Sequence, residues 1–209
     1  MKAAERLNLS STKFDEVYRE AKGLTKSRLG KTASSHSRLL YFHSMLEILG
    51  MKSQVLFALD FEQTYWRNFL SNSVLNPGVL EFLQLAKNAG VTLVNITDLT
   101  AQIQFRKLIY FEIDTYFDFV VTSEEAGADK PDKSIFDLAI NKSGVKPEDA
   151  WVIGDDASRD IVGGIAAGLV AIQFIGNKPS IGVTKKIDGC SIQTSSFEDL
   201  YKLLAAALE

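Results

Sequence analysis

A single cysteine, Cys190, stands in the 209 residues. It cannot form an internal disulfide, so the core must hold by packing alone, as is usual in a reducing compartment. A lone cysteine of this kind is most often a small buried filler. The apolar runs fall well short of the ~20 residues needed to cross a bilayer, and the start of the chain has no signal-peptide core. A cytoplasmic protein with no membrane partner is therefore expected. Nor is there an excess of charge of one sign. The 23 Lys and Arg are scattered among 26 Asp and Glu, and a net charge of −3 gives no general attraction to nucleic acid. What remains is an ordinary globular composition, 46% hydrophobic and 23% charged. It can bury a real core in one large domain or two unequal lobes, and it suits a small-molecule partner.

The two halves differ in rhythm. From Ser10 to about Asn72 the pattern is helical: Phe14, Val17, Tyr18 and Ala21 share a face, and Leu39, Phe42, Leu46 and Leu49 repeat the stripe before Gly50 stops it. Thr12 with Asp15 has the spacing of a capping box, and Gly23 to Ser37, rich in Gly, Ser, Lys and Thr, reads as a loop. After Pro77 short β-rich runs alternate with amphipathic segments, the pattern of βαβ units on a parallel sheet. The runs are Val91 to Ile96, Phe117 to Val121, Trp151 to Ile153 and Val170 to Ile175, with a short edge strand near Ser191 to Thr194 after a polar surface loop from Asn177 to Lys186. Helices are expected at about Gly78 to Asn88, Ala101 to Phe111, Ser134 to Lys142, Ile161 to Ala167 and Phe197 to Leu208. The expected division is a helical lobe over 1–75 and a parallel α/β core, with helices on both faces, over 76–209.

In parallel α/β sheets ligands bind beyond the carboxyl ends of the strands, so the polar residues after each run matter most. Val94-Asn95-Ile96 leads to Thr97-Asp98, Val120-Val121 leads through Thr122 to Lys130-Pro131, and Val152-Ile153 opens onto Gly154-Asp155-Asp156, with Asp160 further on. Singly these are ordinary features: a Thr at a strand end caps a helix, a lysine is solvated, and an Asp pair complements a helix dipole. Together, in this order, they predict a hydroxyl donor, a cation and a carboxylate cluster around one point. A phosphoryl group needs such a set, with carboxylates holding Mg²⁺.

On these residues the chain resembles the haloacid dehalogenase-like superfamily. Thr97 is similar to its second motif, which holds the phosphate through a hydroxyl and the next backbone N–H, here that of Asp98. Lys130, in Ala128-Asp129-Lys130-Pro131-Asp132, is similar to the third, and Gly154-Asp155-Asp156-Ala157-Ser158-Arg159-Asp160-Ile161 to the fourth. The resemblance implies a Rossmann-like core with an all-helical cap lobe. It assigns Thr97 and Lys130 to catalysis, Thr97, Asp98 and Lys130 to phosphate binding, and Asp155, Asp156 and Asp160 to Mg²⁺ or its supporting shell. The family often has Asn where Asp98 stands, and the expectation is that this carboxylate turns away to cap the following helix.

The family's nucleophile lies in Asp-x-Asp-x-Thr on its first strand, ahead of the cap, and that first core strand is missing from this sequence. Asp60-Phe61-Glu62-Gln63-Thr64 has the right residue types but the wrong period: Phe57, Phe61, Tyr65 and Phe69 recur every four residues, as in a helix. The reading is an N-terminally truncated form, inactive as it stands, of a Mg²⁺-dependent phosphatase acting on a small phosphate ester through an aspartyl-phosphate. Without the middle strand, two strand edges are expected to stay unpaired. Dehalogenation of a 2-haloacid is the enzymatic alternative, disfavoured by carboxylates it does not need. A non-catalytic anion- or metal-binding scaffold is the other. A receiver domain would need its Asp pair at the first strand. His36 and His43 read as helix-surface or core residues, and a homo-oligomer stays open.

Overall fold

The computed structural model describes residues 2–176 and 191–208. The chain forms two compact units, Met1–Val74 and Leu75–Glu209. Cys190 and the polar run from Asn177 to Lys186 lie outside the described residues.

Helices α1 (Lys2–Arg6), α2 (Ser11–Leu29), α3 (Arg38–Ile48) and α4 (Val55–Ser71) build the first unit, with a short 3₁₀ turn at Ala33–His36. Ser10, not Thr12, caps α2: its extended backbone lets Oγ accept the N–H of Lys13 at 3.2 Å. The helix runs on through Gly23, where a loop was expected. The buried stripe continues past Val17 and Ala21 to Thr25, and packing overrides the ~1 kcal/mol that an interior glycine costs relative to alanine. Gly30 ends it at φ 63, with its N–H on Lys26 O. Ser37 caps α3 by accepting the N–H of Leu40. Val55 to Leu59 is the first part of α4, so the segment around Asp60 is helical, as its period requires. Val55 and Leu59 are exposed all the same, and the buried face of α4 carries Ala58, Phe61, Trp66 and Leu70.

The core of this unit joins Val17, Ala21, Phe42, Met45, Leu46, Ala58 and Phe61. Tyr18 packs on Phe42 with ring centroids 5.2 Å apart. Burial pushes the Tyr18 phenol up to about 12, partly offset by the Arg38 cation. The unfolded chain therefore releases this proton first, near pH 10, and stability is lost as pH rises from about 10 to about 12. Tyr18→Phe is expected to flatten the alkaline limb of urea unfolding in that window and to change little below pH 9. An alkaline limb that stays the same in the variant would refute the assignment.

The second unit runs α5 (Val79–Asn88), β1 (Val94–Thr97), α6 (Ala101–Tyr110), β2 (Phe119–Thr122), α7 (Ser123–Ala126), α8 (Lys133–Ser143), β3 (Trp151–Gly154), a π-helical turn at Ala157–Ile161, α9 (Val162–Ala166), β4 (Val170–Phe174), β5 (Ser191–Thr194) and α10 (Phe197–Leu208). It is α/β, with every strand pairing parallel. β1 starts later than its apolar run because the Val91 N–H closes the end of α5 on Ala86 O.

The strands form two sheets, β1-β2 and β3-β4-β5, with Thr97 opposite Thr122 and Gly154 opposite Gln173. Among the described residues β1 and β3 each pair on one side only. Alternation along β3 sends Ile153 into a core with α5 and α10, around Phe82, Leu83, Ile172 and Leu200, and Val152 into a second core with α8, around Val121, Ile135 and Phe136. Residues of β1 and of the segment before it join the same cores, Val94 and Ile96 the second and Leu93 the first. Side-chain packing thus unites what backbone hydrogen bonds do not. Gly164 brings α9 against β3, where a Cβ would lie 2.3 Å from Val152 Cγ1. No helix among the described residues is long and apolar enough to cross a membrane.

Candidate active site

Each residue singled out in the sequence follows the carboxyl end of a strand. Thr97 closes β1 and Asp98 follows it. Lys130 lies between α7 and α8, beyond β2. Asp155 follows β3, Asp156 caps the π-helical turn, and Asp160 lies within that turn.

Four of these residues close into a ring with Arg159. Asp98 is buried, and its Oδ1 accepts the backbone N–H of Lys130 at 2.9 Å. Lys130 Nζ lies 2.7 Å from Asp160 Oδ1 and 3.5 Å from Ile96 O. Asp160 Oδ2 accepts the N–H of Asp156 at 3.0 Å. Asp156 Oδ1 accepts from Ser158 N and Oγ and from Arg159 N, while its Oδ2 takes Arg159 Nε at 2.7 Å. Arg159 Nη1 then returns to Asp98 Oδ2 at 3.3 Å.

The electrostatics follow from these contacts. Burial raises the Asp98 carboxyl above its usual range, against the pull of Lys130 and Arg159. Hydrogen bonds from Ser158 and then Arg159 hold the Asp156 carboxyl down at about 2. Gly154 makes the ring sterically feasible, since a Cβ there would lie 2.4 Å from Asp160 Cβ and 2.5 Å from its Cγ.

One expectation changes. The Asp98 carboxylate does not cap the helix after β1. It is drawn across to Lys130 and Arg159, and the first N–H of α6, that of Ala101, is taken by Glu124 Oε2 at 2.8 Å. Asp155, Asp156 and Asp160, assigned to Mg²⁺ or its supporting shell, turn to different surroundings. Asp156 is turned into its own turn and Asp160 onto Lys130, and no group of three or more metal-ligating side chains is found among the described residues. Asp155 is exposed, and its carboxylate has no hydrogen bond or ion pair among the described residues. It fits as a single ligand to a hard cation, which takes one or two carboxylates with waters and substrate oxygens. Thr97 is partly buried, with its hydroxyl likewise without a hydrogen-bond partner among the described residues.

Arg159 was missed in the sequence. Within Ala157-Ser158-Arg159-Asp160 it has the look of a solvated turn residue, and only the fold brings Asp98 to it.

Parallel strands whose carboxyl ends present a hydroxyl, a lysine and carboxylates are the ground plan of an enzyme for small anionic substrates. The profile of the haloacid dehalogenase-like hydrolases matches residues 6–168, and the chain belongs to that family. It is 35% identical over 161 residues to a ribulose-1,5-bisphosphate 5-phosphatase of Halopiger xanaduensis, covering 77% of this chain and 67% of that protein. It is 31% identical over 160 residues to a glyceraldehyde 3-phosphate phosphatase of Methanopyrus kandleri, covering 77% and 66%. The chain thus spans about two thirds of the length of these relatives. A magnesium-bound structure of the HAD-hydrolase YfnB from Bacillus subtilis superposes with a TM-score of 0.65 at 22% identity, covering 97% of this chain and 87% of that one, and so shares the fold.

Proposed function

We propose that this chain carries the phosphate-holding part of a phosphomonoesterase site for a small phosphate ester, with phosphorylated sugars, the class named by both relatives, as first candidates. The observation that carries the reading is the placement of Lys130 Nζ, held by Asp160 Oδ1 at 2.7 Å and 3.5 Å from the carbonyl of Ile96, the residue before Thr97 at the end of β1. Lys130 receives a phosphoryl oxygen, and Thr97 Oγ and the backbone N–H beyond it donate to others. Asp160 orients Lys130, and Asp156 anchors the turn that carries Asp160. Asp155 is the carboxylate offered to Mg²⁺, which when bound neutralises phosphoryl charge. The helical unit acts as the cap. The attacking carboxylate comes from an Asp-x-Asp-x-Thr strand outside these residues, because Asp98, Asp156 and Asp160 are all held by protein partners and none is free for in-line attack.

The test is Mg²⁺-dependent phosphate release from a panel of phosphate esters, by this chain and by a form extended with such a strand. Turnover is expected only in the extended form and should vanish when its first Asp becomes Asn. Robust hydrolysis by the 209 residues alone, abolished by Asp60→Asn, would overturn the reading.

A further inference from the structure

We propose that Arg159 is a positioning residue of the phosphate site, clamping the loop after β1 to the turn after β3 and so fixing Lys130 where it meets a phosphoryl oxygen. The inference rests on the phosphatase reading above. Among the described residues no backbone pairing joins the β1-β2 sheet to the β3-β4-β5 sheet. At the strand ends, side chains make the crossing instead: Lys130 to Asp160 and Arg159 to Asp98. The two crossings are coupled, since one Asp98 oxygen takes Arg159 and the other takes the Lys130 backbone N–H.

Arg159 suits this task by its shape. The guanidinium is planar with donors on two edges, so Nε holds Asp156 in its own turn while Nη1 reaches Asp98. A lysine ammonium has no such fork and cannot hold both partners in fixed directions. The same engagement argues against direct substrate contact, because two of its donor groups are already spent on carboxylates. Without Arg159, Asp98 is left buried with a single backbone donor, and the main chain of Lys130 loses a fixed acceptor.

The experiment uses the full chain and inorganic phosphate as probe, with binding read by titration calorimetry and amide hydrogen exchange read at Lys130 and Asp156. Arg159→Gln, which keeps much of the side chain's packing, and Arg159→Ala are both expected to weaken phosphate binding about tenfold or more, the scale of a lost charge-assisted hydrogen bond. Exchange should rise at the Lys130 amide while amides in the α5 and α10 core stay protected. Arg159→Lys should recover little. Guanidinium ion at low millimolar concentration should restore both binding and Lys130 protection in Arg159→Ala, whereas equal urea should not. If Lys130→Ala loses phosphate but both Arg159 variants bind like the parent, the Arg159 inference is wrong and the phosphatase reading survives. If the parent chain binds no phosphate, or Lys130→Ala binds it equally well, the phosphatase reading falls and takes the inference with it.

Discussion

Lys130→Met is expected to lower the unfolding free energy by about 3–5 kcal/mol, the usual cost of removing one partner from a buried ion pair. The side chains of Lys130 and Asp160 are only 14% and 9% exposed, so water compensates the lost cation poorly. The variant leaves the Asp160 carboxylate with the Asp156 N–H as its remaining donor. A whole domain is commonly stable by only ~5–15 kcal/mol, so the change should be plain in urea midpoints at unchanged m. Asp160→Asn added to Lys130→Met removes the stranded charge and should recover most of the loss, because a buried pair replaced as a whole is close to neutral. A double variant whose destabilisation is the simple sum of the two single ones would show that the pair is not coupled.

Gly154→Ala should be nearly as damaging, by a different route. The added methyl would stand 2.4–2.5 Å from Cβ, Cγ and Oδ2 of Asp160. Asp160 Cβ is not the far end of a flexible chain but sits on the backbone of the π-helical turn, so relief requires the turn to move. Overpacking of this kind costs about 1–3 kcal/mol, and moving Asp160 also breaks its 2.7 Å contact with Lys130. Stability and phosphate binding should therefore fall together. Gly90→Ala is the informative control, with φ 72 and no atom within 4 Å of the added carbon. It strains the backbone without touching the site, so it should cost stability and leave phosphate binding unchanged. Gly154→Ala melting like the parent would refute the steric argument.

Thr97, Lys130 and Asp155 could be picked out because strand ends and loop residues are local features, and the βαβ rhythm says which strand ends share an edge of the sheet. The helix at Val55–Ser71 was equally readable, since a four-residue period sustained from Phe57 to Phe69 has no strand counterpart. Other features depended on distant parts of the chain. Whether Asp98 caps a helix or crosses to Arg159 is decided by a residue 61 positions away. The Asp156 and Asp160 carboxylates share a motif but turn to different partners, which spacing alone does not specify. Helix α2 outlasted its glycine because Thr25 found a buried place, a tertiary effect that overrides local propensity. The parallel strands were foreseen; which strands would stay apart was not, nor that packing would hold the two sheets on shared cores.

The order of contacts along the chain has a kinetic consequence. In the first unit α2 packs on α3 and α3 on α4, all neighbours in sequence, and such short closures are fast. In the second, α5 depends on α10: Phe82 and Phe197, from opposite ends of the unit, bring their rings 5.9 Å apart. During synthesis the helical unit can collapse while the rest is still being made, whereas the second core stays open until α10 leaves the ribosome. Until then Phe82, Leu83 and Ala86 lack one side of their apolar core, Leu200 and Leu204, which makes α10 the element that closes it against aggregation.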